Sequence, residues 1–289
     1  MANYYYLMAG LPDIQLSDLK PARSIAEMKE ECEQALTPKD KKILYFFYLK
    51  WDCRNIVRLL KNPEAELDLL GNLTADQYQD LLTSARELNF NVHRYPAFMS
   101  EFVRNYAFNS EKKGFFAEDA MMYEYLQYVI KNCPNRMMKE WCRLTMDINN
   151  ILTAMIARKY GWNVGDFIQG DNAVTELIRT NSTKDFDLSL QYDYVKELMQ
   201  IVDEPDPVRK EKRIDAFKWV WLDDQTFFEP FSIEALLAYL CKLEMLYRWE
   251  KLDPENGKEA FRQIINDLRG EARVPEEFIQ NNTQRTSNK

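Results

Sequence analysis

Apolar side chains recur every three or four positions along most of the chain, and this spacing predicts α-helices. Hardly any stretch alternates apolar and polar residues over six positions, as a half-buried strand would. The pattern therefore predicts an all-α fold. The predicted helices cover residues 24–36, 39–61, 74–89, 96–106, 115–133, 135–160, 174–179, 192–202, 210–222, 232–251 and 259–269.

Local signals support several of these helix boundaries. Ser24 with Glu27 three residues later forms a capping-box pattern at a helix start. Asn62-Pro63 and Gly161 are typical helix stops. The segment 203–207, together with the charged RKEKR at 209–213 after it, is the best candidate for an internal linker. RKEKR itself is interpreted as a solvated helix start in preference to a binding patch.

Two of these helices carry an acid and an amide inside an apolar run. WDCRNIVRLL at 51–60 places Asp52 and Asn55 among large apolar residues, and MDINNILTAM at 146–155 places Asp147 and Asn150 in the same way. A leucine precedes each acid by three positions and an isoleucine follows each Asn directly, so the polar pair shares one helix face with them. Glu244 lies roughly 95 residues after Asp147, and nearly the same interval separates Asp52 from Asp147. The period predicts a triplicated helical unit.

These acids are interpreted as structural residues. A buried carboxylate needs a partner, such as a backbone amide at a helix start, an Arg or a Tyr hydroxyl. Glu244 and Arg248 are four positions apart and could pair on one helix. We expect equivalent depths for Asp52, Asp147 and Glu244 in their units. The alternative is that the acids lie at the solvent edge of each helix face and contribute little.

Composition narrows the function classes. The chain has 289 residues, of which 46% are hydrophobic, and only 8 are Gly, which suits long helices around a large core of one domain or a few sub-lobes. The net charge of −8 argues against nucleic-acid binding, which depends on Lys and Arg at phosphates. Five scattered Cys with a single His do not suggest a zinc site and fit a reducing cytoplasm. No apolar run approaches the roughly 18 residues of a spanning helix.

Motifs of helical and nucleotide-dependent enzymes are missing. His93 has Phe90 three positions before it, where a di-iron bundle would have Glu. Asp223-Asp224 is followed by Phe227, where a prenyl-synthase motif would have Asp, so this acid pair is interpreted as a helix end or cap. The sequence contains no Gly-x-x-x-x-Gly-Lys phosphate loop and no Gly-x-Ser-x-Gly elbow. We therefore expect a protein without catalytic activity, cofactor or metal.

With these residues in view, the chain resembles the C-type (eukaryotic d-type) central-stalk family of V-type and A-type rotary ATPases. The family carries acid-x-x-Asn before aliphatic residues on long helices, similar to WDCRNIVRLLK and MDINNILTAMIARK, and a tyrosine-rich start similar to YYYLMAGL. The likeness extends over most of the chain, and departures such as GLPDIQL fit a divergent bacterial branch. The C-terminal block 231–270 is the most similar, and its matching positions are Glu234, Ala238, Tyr239, Lys242, Glu244 and Arg248.

The resemblance implies a structural role. It implies three pseudo-symmetric helical lobes, at 1–98, 99–202 and 203–275, arranged as a funnel, with a polar tail at 276–289. One face would sit on the membrane proteolipid ring and the cavity would receive the central-stalk subunits, so that the protein passes torque between them. It would then lie in the cytoplasm, peripheral to the membrane, and would not span it.

A cytoplasmic helical interaction scaffold unrelated to the ATPase is the alternative. A tetratricopeptide array would show a period of about 34 residues, and the chain shows none. Co-purification with ATPase subunits would distinguish the two functions.

Overall fold

The computed structural model describes residues 4–18, 20–85, 94–108 and 116–251. Across these ranges the regular structure is helical and contains no strand, which confirms the predicted all-α class. The helices are α1 (Tyr5–Ala9), α2 (Ile25–Ala35), α3 (Pro38–Lys61), α4 (Ala75–Ser84), α5 (Ala97–Phe108), α6 (Phe116–Asn132), α7 (Arg136–Lys159), α8 (Ala173–Thr180), α9 (Val195–Val202), α10 (Pro207–Thr226) and α11 (Ile233–Lys251). Short 3-10 helices lie at Val164–Asp166 and Leu188–Leu190.

Helix starts follow the side chains that satisfy the first backbone N–H groups. The predicted capping box is present, since Ser24 accepts from the Glu27 amide and Glu27 accepts from the Ser24 amide. α10 starts earlier than predicted because Asp206 caps it and Pro207 occupies its first position. The RKEKR segment consequently lies in the first turns of α10 and is largely exposed, in agreement with a solvated helix start.

The start of α9 and the end of α10 also differ from the predicted boundaries. α9 begins at Val195 because the residues before it form a turn that follows the second 3-10 helix. α10 continues to Thr226, so Asp223 and Asp224 lie within its last turn and do not cap α11. The predicted helix at 259–269, the end of the 74–89 helix, the tail 276–289 and His93 lie outside the described residues.

The buried side chains form two hydrophobic cores. The first core is built by α1 to α6, the first half of α7, the end of α10 at Leu222, and α11. The second core is built by the second half of α7 with α8, α9 and the start of α10. α7 therefore belongs to both cores, with Cys142 packed in the first and Ile151 in the second.

The two longest helices organise these cores. α3 packs on α6, α6 packs on α7, and α11 contacts both α3 and α7. Trp141 of α7 lies 5.8 Å from Trp221 of α10, centroid to centroid, where the two cores meet. None of the described helices combines the length and the apolar composition that crossing a bilayer requires. The three lobes with their boundaries, and the funnel, stay predictions.

Candidate functional site

Asp52 lies at the centre of a buried hydrogen-bond cluster on α3. Its Oδ1 accepts from the backbone amides of Asn72 at 2.7 Å and Leu73 at 3.0 Å, and from the Tyr78 hydroxyl at 2.6 Å. Its Oδ2 accepts from Asn72 Nδ2 at 2.7 Å. Burial raises the pKa of the Asp52 carboxyl, and these donors oppose that effect. The carboxylate thus fixes the segment that leads from α3 into α4.

Asn55 holds the same connection one turn further along α3. Its Oδ1 accepts from the Asp68 amide and its Nδ2 donates to the Asp68 carbonyl, both at 2.9 Å. Lys29 of α2 also binds the connection between α3 and α4, because its ammonium donates to the backbone carbonyls of Leu70 and Gly71. The Asn55 side-chain amide thus satisfies both the backbone N–H and the backbone C=O of Asp68, as a neighbouring strand in a sheet would, and it fixes the backbone at that residue.

The same arrangement recurs on α7. Asn150 Oδ1 accepts from the Gln169 amide and its Nδ2 donates to the Gln169 carbonyl, again both at 2.9 Å. Asp147 Oδ1 accepts from Asn172 Nδ2 at 2.8 Å. Asn172 is also the N-cap of α8, so Asp147 holds the residue at which the next helix begins.

We call the first arrangement (Asp52, Asn55) the first pin and the second (Asp147, Asn150) the second pin. Each pin stands on a helix of 24 residues and fastens the connection to a short capped helix. The sequence repeat between these two segments therefore corresponds to a repeated tertiary contact. No sequence pattern identified the residues that the pins bind, Asp68 and Gln169.

The two acids do not lie at equal depths. Asp52 is completely buried, whereas Asp147 is half-buried. Burial raises the pKa of Asp147 to about 6, and the hydrogen bond from Asn172 opposes this effect only in part. The expected equivalence of depth is therefore wrong for this pair. The alternative placement at the solvent edge is wrong for Asp52.

Glu244 has a different role from the two aspartates. It forms ion pairs with Lys50 and with Arg54, both on α3. Burial alone would raise the pKa of Glu244, but these two cations outweigh burial and lower it. The continuation of α11, where a third pinned connection would lie, is outside the described residues.

The local pairing of Glu244 with Arg248 is corrected by the structure. Arg248 reaches α10 instead, where it donates to Asp215 at 2.5 Å and to Glu211 at 3.2 Å. Asp215 is buried and also accepts from the indole of Trp249 at 2.7 Å. Sequence spacing allowed the pair within one helix, but both residues face oppositely charged partners on other helices.

A cleft of about 570 Å³ opens beside this ion pair, between α6, α7 and α10. Lys218 lines it, and burial lowers the pKa of the Lys218 ammonium. Asp215 and Arg248 form another part of its wall. No sequence pattern identifies Lys218 or Asp215, since isolated charged residues on a helix have no characteristic spacing.

Several ionisable side chains in the described part of the chain link one helix to another. The Cys, Asp and Glu side chains there form no group of three or more that could hold a metal ion. Asp223 forms an ion pair with Lys242 of α11, a contact that joins α10 to α11. The ion pairs of Glu244 and Arg248 join helices in the same way.

A family model described as "Protein of unknown function (DUF2764)" matches residues 1–272. No curated protein and no solved structure matches the chain.

Proposed function

We propose that this chain, which belongs to the DUF2764 family, is a non-catalytic adaptor in the central stalk of a V/A-type rotary ATPase. It docks the rotating shaft onto the membrane proteolipid ring from the cytoplasmic side and transmits torque. Its three helical lobes of about 95 residues form a funnel in this proposal.

The repeated pin is the observation that carries the proposal. A long helix followed by a pinned connection and a short capped helix occurs twice, at the positions where the sequence resembles the repeated units of the rotary ATPase family. The same donor and acceptor pattern at Asp68 and at Gln169 supports duplication of one unit over chance similarity.

The mechanical requirements of such an adaptor also fit the contacts. Torque transmission needs elements that do not bend or slide, and each pin removes freedom from a connection that would otherwise move. The ion pair of Glu244 links α11 to α3, which is distant in sequence, and the ion pair of Arg248 links α11 to the neighbouring helix α10. Together these contacts favour a stiff body over a flexible scaffold.

The proposal is tested by purification from native membranes. An affinity tag is placed on the chromosomal copy, and membranes are solubilised in a mild detergent. We expect the ATPase head, stalk and proteolipid subunits to co-purify in constant ratio with the tagged chain, as shown by mass spectrometry. A tagged cytoplasmic protein of similar acidic charge serves as the control.

The reciprocal purification decides the outcome. The ATPase is isolated through a tag on its head, and the intact complex is checked by its hydrolytic activity. If the active complex lacks this chain, and the chain is found alone in the soluble extract, the adaptor function is wrong. The interaction scaffold would then be the better description.

A further inference from the structure

The two pins follow one plan but differ in how many donors reach the carboxylate. Asp52 accepts four hydrogen bonds, from Asn72, Leu73 and Tyr78. Among the described hydrogen bonds, Asp147 accepts one, from the side chain of Asn172. An ionised carboxylate out of water is stabilised by several donors, so the second pin holds its charge less well than the first.

The incomplete shell of Asp147 faces a cavity. This cavity has a volume of about 440 Å³ and lies between α6, α7, the start of α8 and the turn before α9. Asp147, Asn172 and Gln127 line it. The carboxylate is therefore neither fully solvated nor surrounded by fixed donors.

Few charged groups near Asp147 favour the ionised form of its carboxyl. Arg143, one turn earlier on α7, lowers the pKa of Asp147, but burial has the larger effect in the opposite direction. Arg143 also pairs with Glu140 at 2.8 Å. The titratable and charged groups that face the cavity or interact with Asp147 are Arg143 on α7, Tyr123 on α6, Asp171 with its partner Arg179 at α8, and Tyr192 and Tyr194 before α9.

We propose that the second pin is a proton-sensitive latch, in which the connection 160–172 and α8 are held more tightly on α7 when Asp147 is protonated. The protonated acid still accepts from Asn172 through its carbonyl oxygen. It no longer bears a charge where only one hydrogen-bond donor reaches it, so closure of the connection has a smaller desolvation cost than for the ionised acid. This inference concerns the second pin alone and does not rest on the proposed ATPase function.

The direction with pH follows from the raised pKa, which is about 6 against an ordinary value of 3.8. Between these pH values Asp147 keeps its proton while the connection 160–172 is closed on α7 and releases the proton when the connection opens. The stabilisation of the closed state is therefore fully present below about pH 4 and is lost as pH rises through about 6. Above that range Asp147 is ionised in both states and the closed unit is weakest.

Hydrogen exchange of the full chain at pH 5.5 and pH 7.5 measures the latch, after correction for intrinsic exchange rates. We expect protection of amides in 160–180 to increase by about twofold to about fourfold at the lower pH, because the closed form is only partly protonated at pH 5.5 when its pKa is about 6. The corresponding amides of 62–84, held by the first pin, should change by less than about 1.5-fold, since four donors hold Asp52.

Two variants complete the test. Asp147→Asn keeps the shape and removes the charge, so it should show the high protection at both pH values. Asp193→Asn, at an exposed position before α9, should keep the wild-type response. Equal protection of wild type at the two pH values, or an unchanged pH response in Asp147→Asn, overturns the latch. A carboxyl carbon NMR titration that places the pKa of Asp147 near 4 overturns it as well.

Discussion

At the scale of single residues, Gly71 shows how closely the first pin is packed. A Cβ added at this position would collide with the Tyr78 hydroxyl and would lie 2.7 Å from Asp52 Oδ1. Its backbone conformation is open to any residue, so the restriction comes from the neighbours and not from the dihedral angles. Glycine is required here because the connection must approach the carboxylate directly.

Gly71→Ala should therefore destabilise the protein by about 1 to 3 kcal/mol, because the extra methyl separates Asp52 from its donors. Urea unfolding followed by circular dichroism measures the change. Gly165→Ala is the matched control, since its nearest new contact is Asn163 Oδ1 at 3.6 Å, and it should change stability by less than about 0.5 kcal/mol. An equal effect of both substitutions would show that the first pin is not close-packed.

The sequence identified the pinning side chains but not their targets. Asp52 with Asn55 and Asp147 with Asn150 stood out because they share one spacing inside apolar runs. Asp68 lies 13 residues after Asn55, whereas Gln169 lies 19 after Asn150, so the connections differ in length and no fixed offset reveals the partner. The bonds are made to backbone groups, which every residue carries, and the target therefore has no residue signature.

At the scale of elements, α11 is joined to α3 by a charged contact in an otherwise apolar interface. Lys50 and Glu244 form an ion pair that is largely shielded from water, and the Lys50 ammonium also lies 4.1 Å from the centre of the Phe47 ring. Breaking such a pair from one side leaves an uncompensated charge, whereas replacing both sides with apolar groups removes the problem.

A double-mutant cycle tests this contact. Glu244→Leu alone should cost about 2 to 4 kcal/mol, because it leaves the buried Lys50 ammonium unpaired. Lys50→Met alone should cost less, about 1 to 2 kcal/mol, because Arg54 still pairs with Glu244. The double variant should cost much less than the sum of the two. Urea unfolding of the four proteins gives the coupling free energy. Additive effects would mean that the two side chains act independently and that α11 is held by apolar packing alone.

Helix existence was predictable from the sequence, while helix partners were not. The apolar period and caps such as Ser24 define each element locally, and Asp206 with Pro207 explains the earlier start of α10 in the same local terms. Glu244 and Arg248 show the limit. Their spacing allows a pair on one helix, but α3 supplies Lys50 and α10 supplies Asp215, and only the fold brings these charges together.

At the scale of the whole molecule, the two cores are coupled through a shared helix. α7 contributes Cys142 to the first core and Ile151 to the second. Trp141 and Trp221 pack where the cores meet. Since half of α7 would lose its packing if either core opened alone, the described part of the chain should unfold as one cooperative unit.

The cysteines provide a probe for this cooperativity. All five are buried and free, and all belong to the first core. Burial raises the pKa of Cys32 and of Cys241 to about 12, so their thiols carry little of the reactive thiolate at neutral pH while the core is closed.

We therefore expect a thiol reagent to label the native protein very slowly, and labelling in increasing urea to rise at the same midpoint as the loss of helical circular dichroism. The second core contains no cysteine, so its opening alone would reduce the circular dichroism without exposing a thiol. Mass spectrometry that counts labelled cysteines, with the fully denatured chain as the control, separates the two cases. A circular dichroism transition well below the labelling midpoint would show that the second core melts first and that α7 does not couple them.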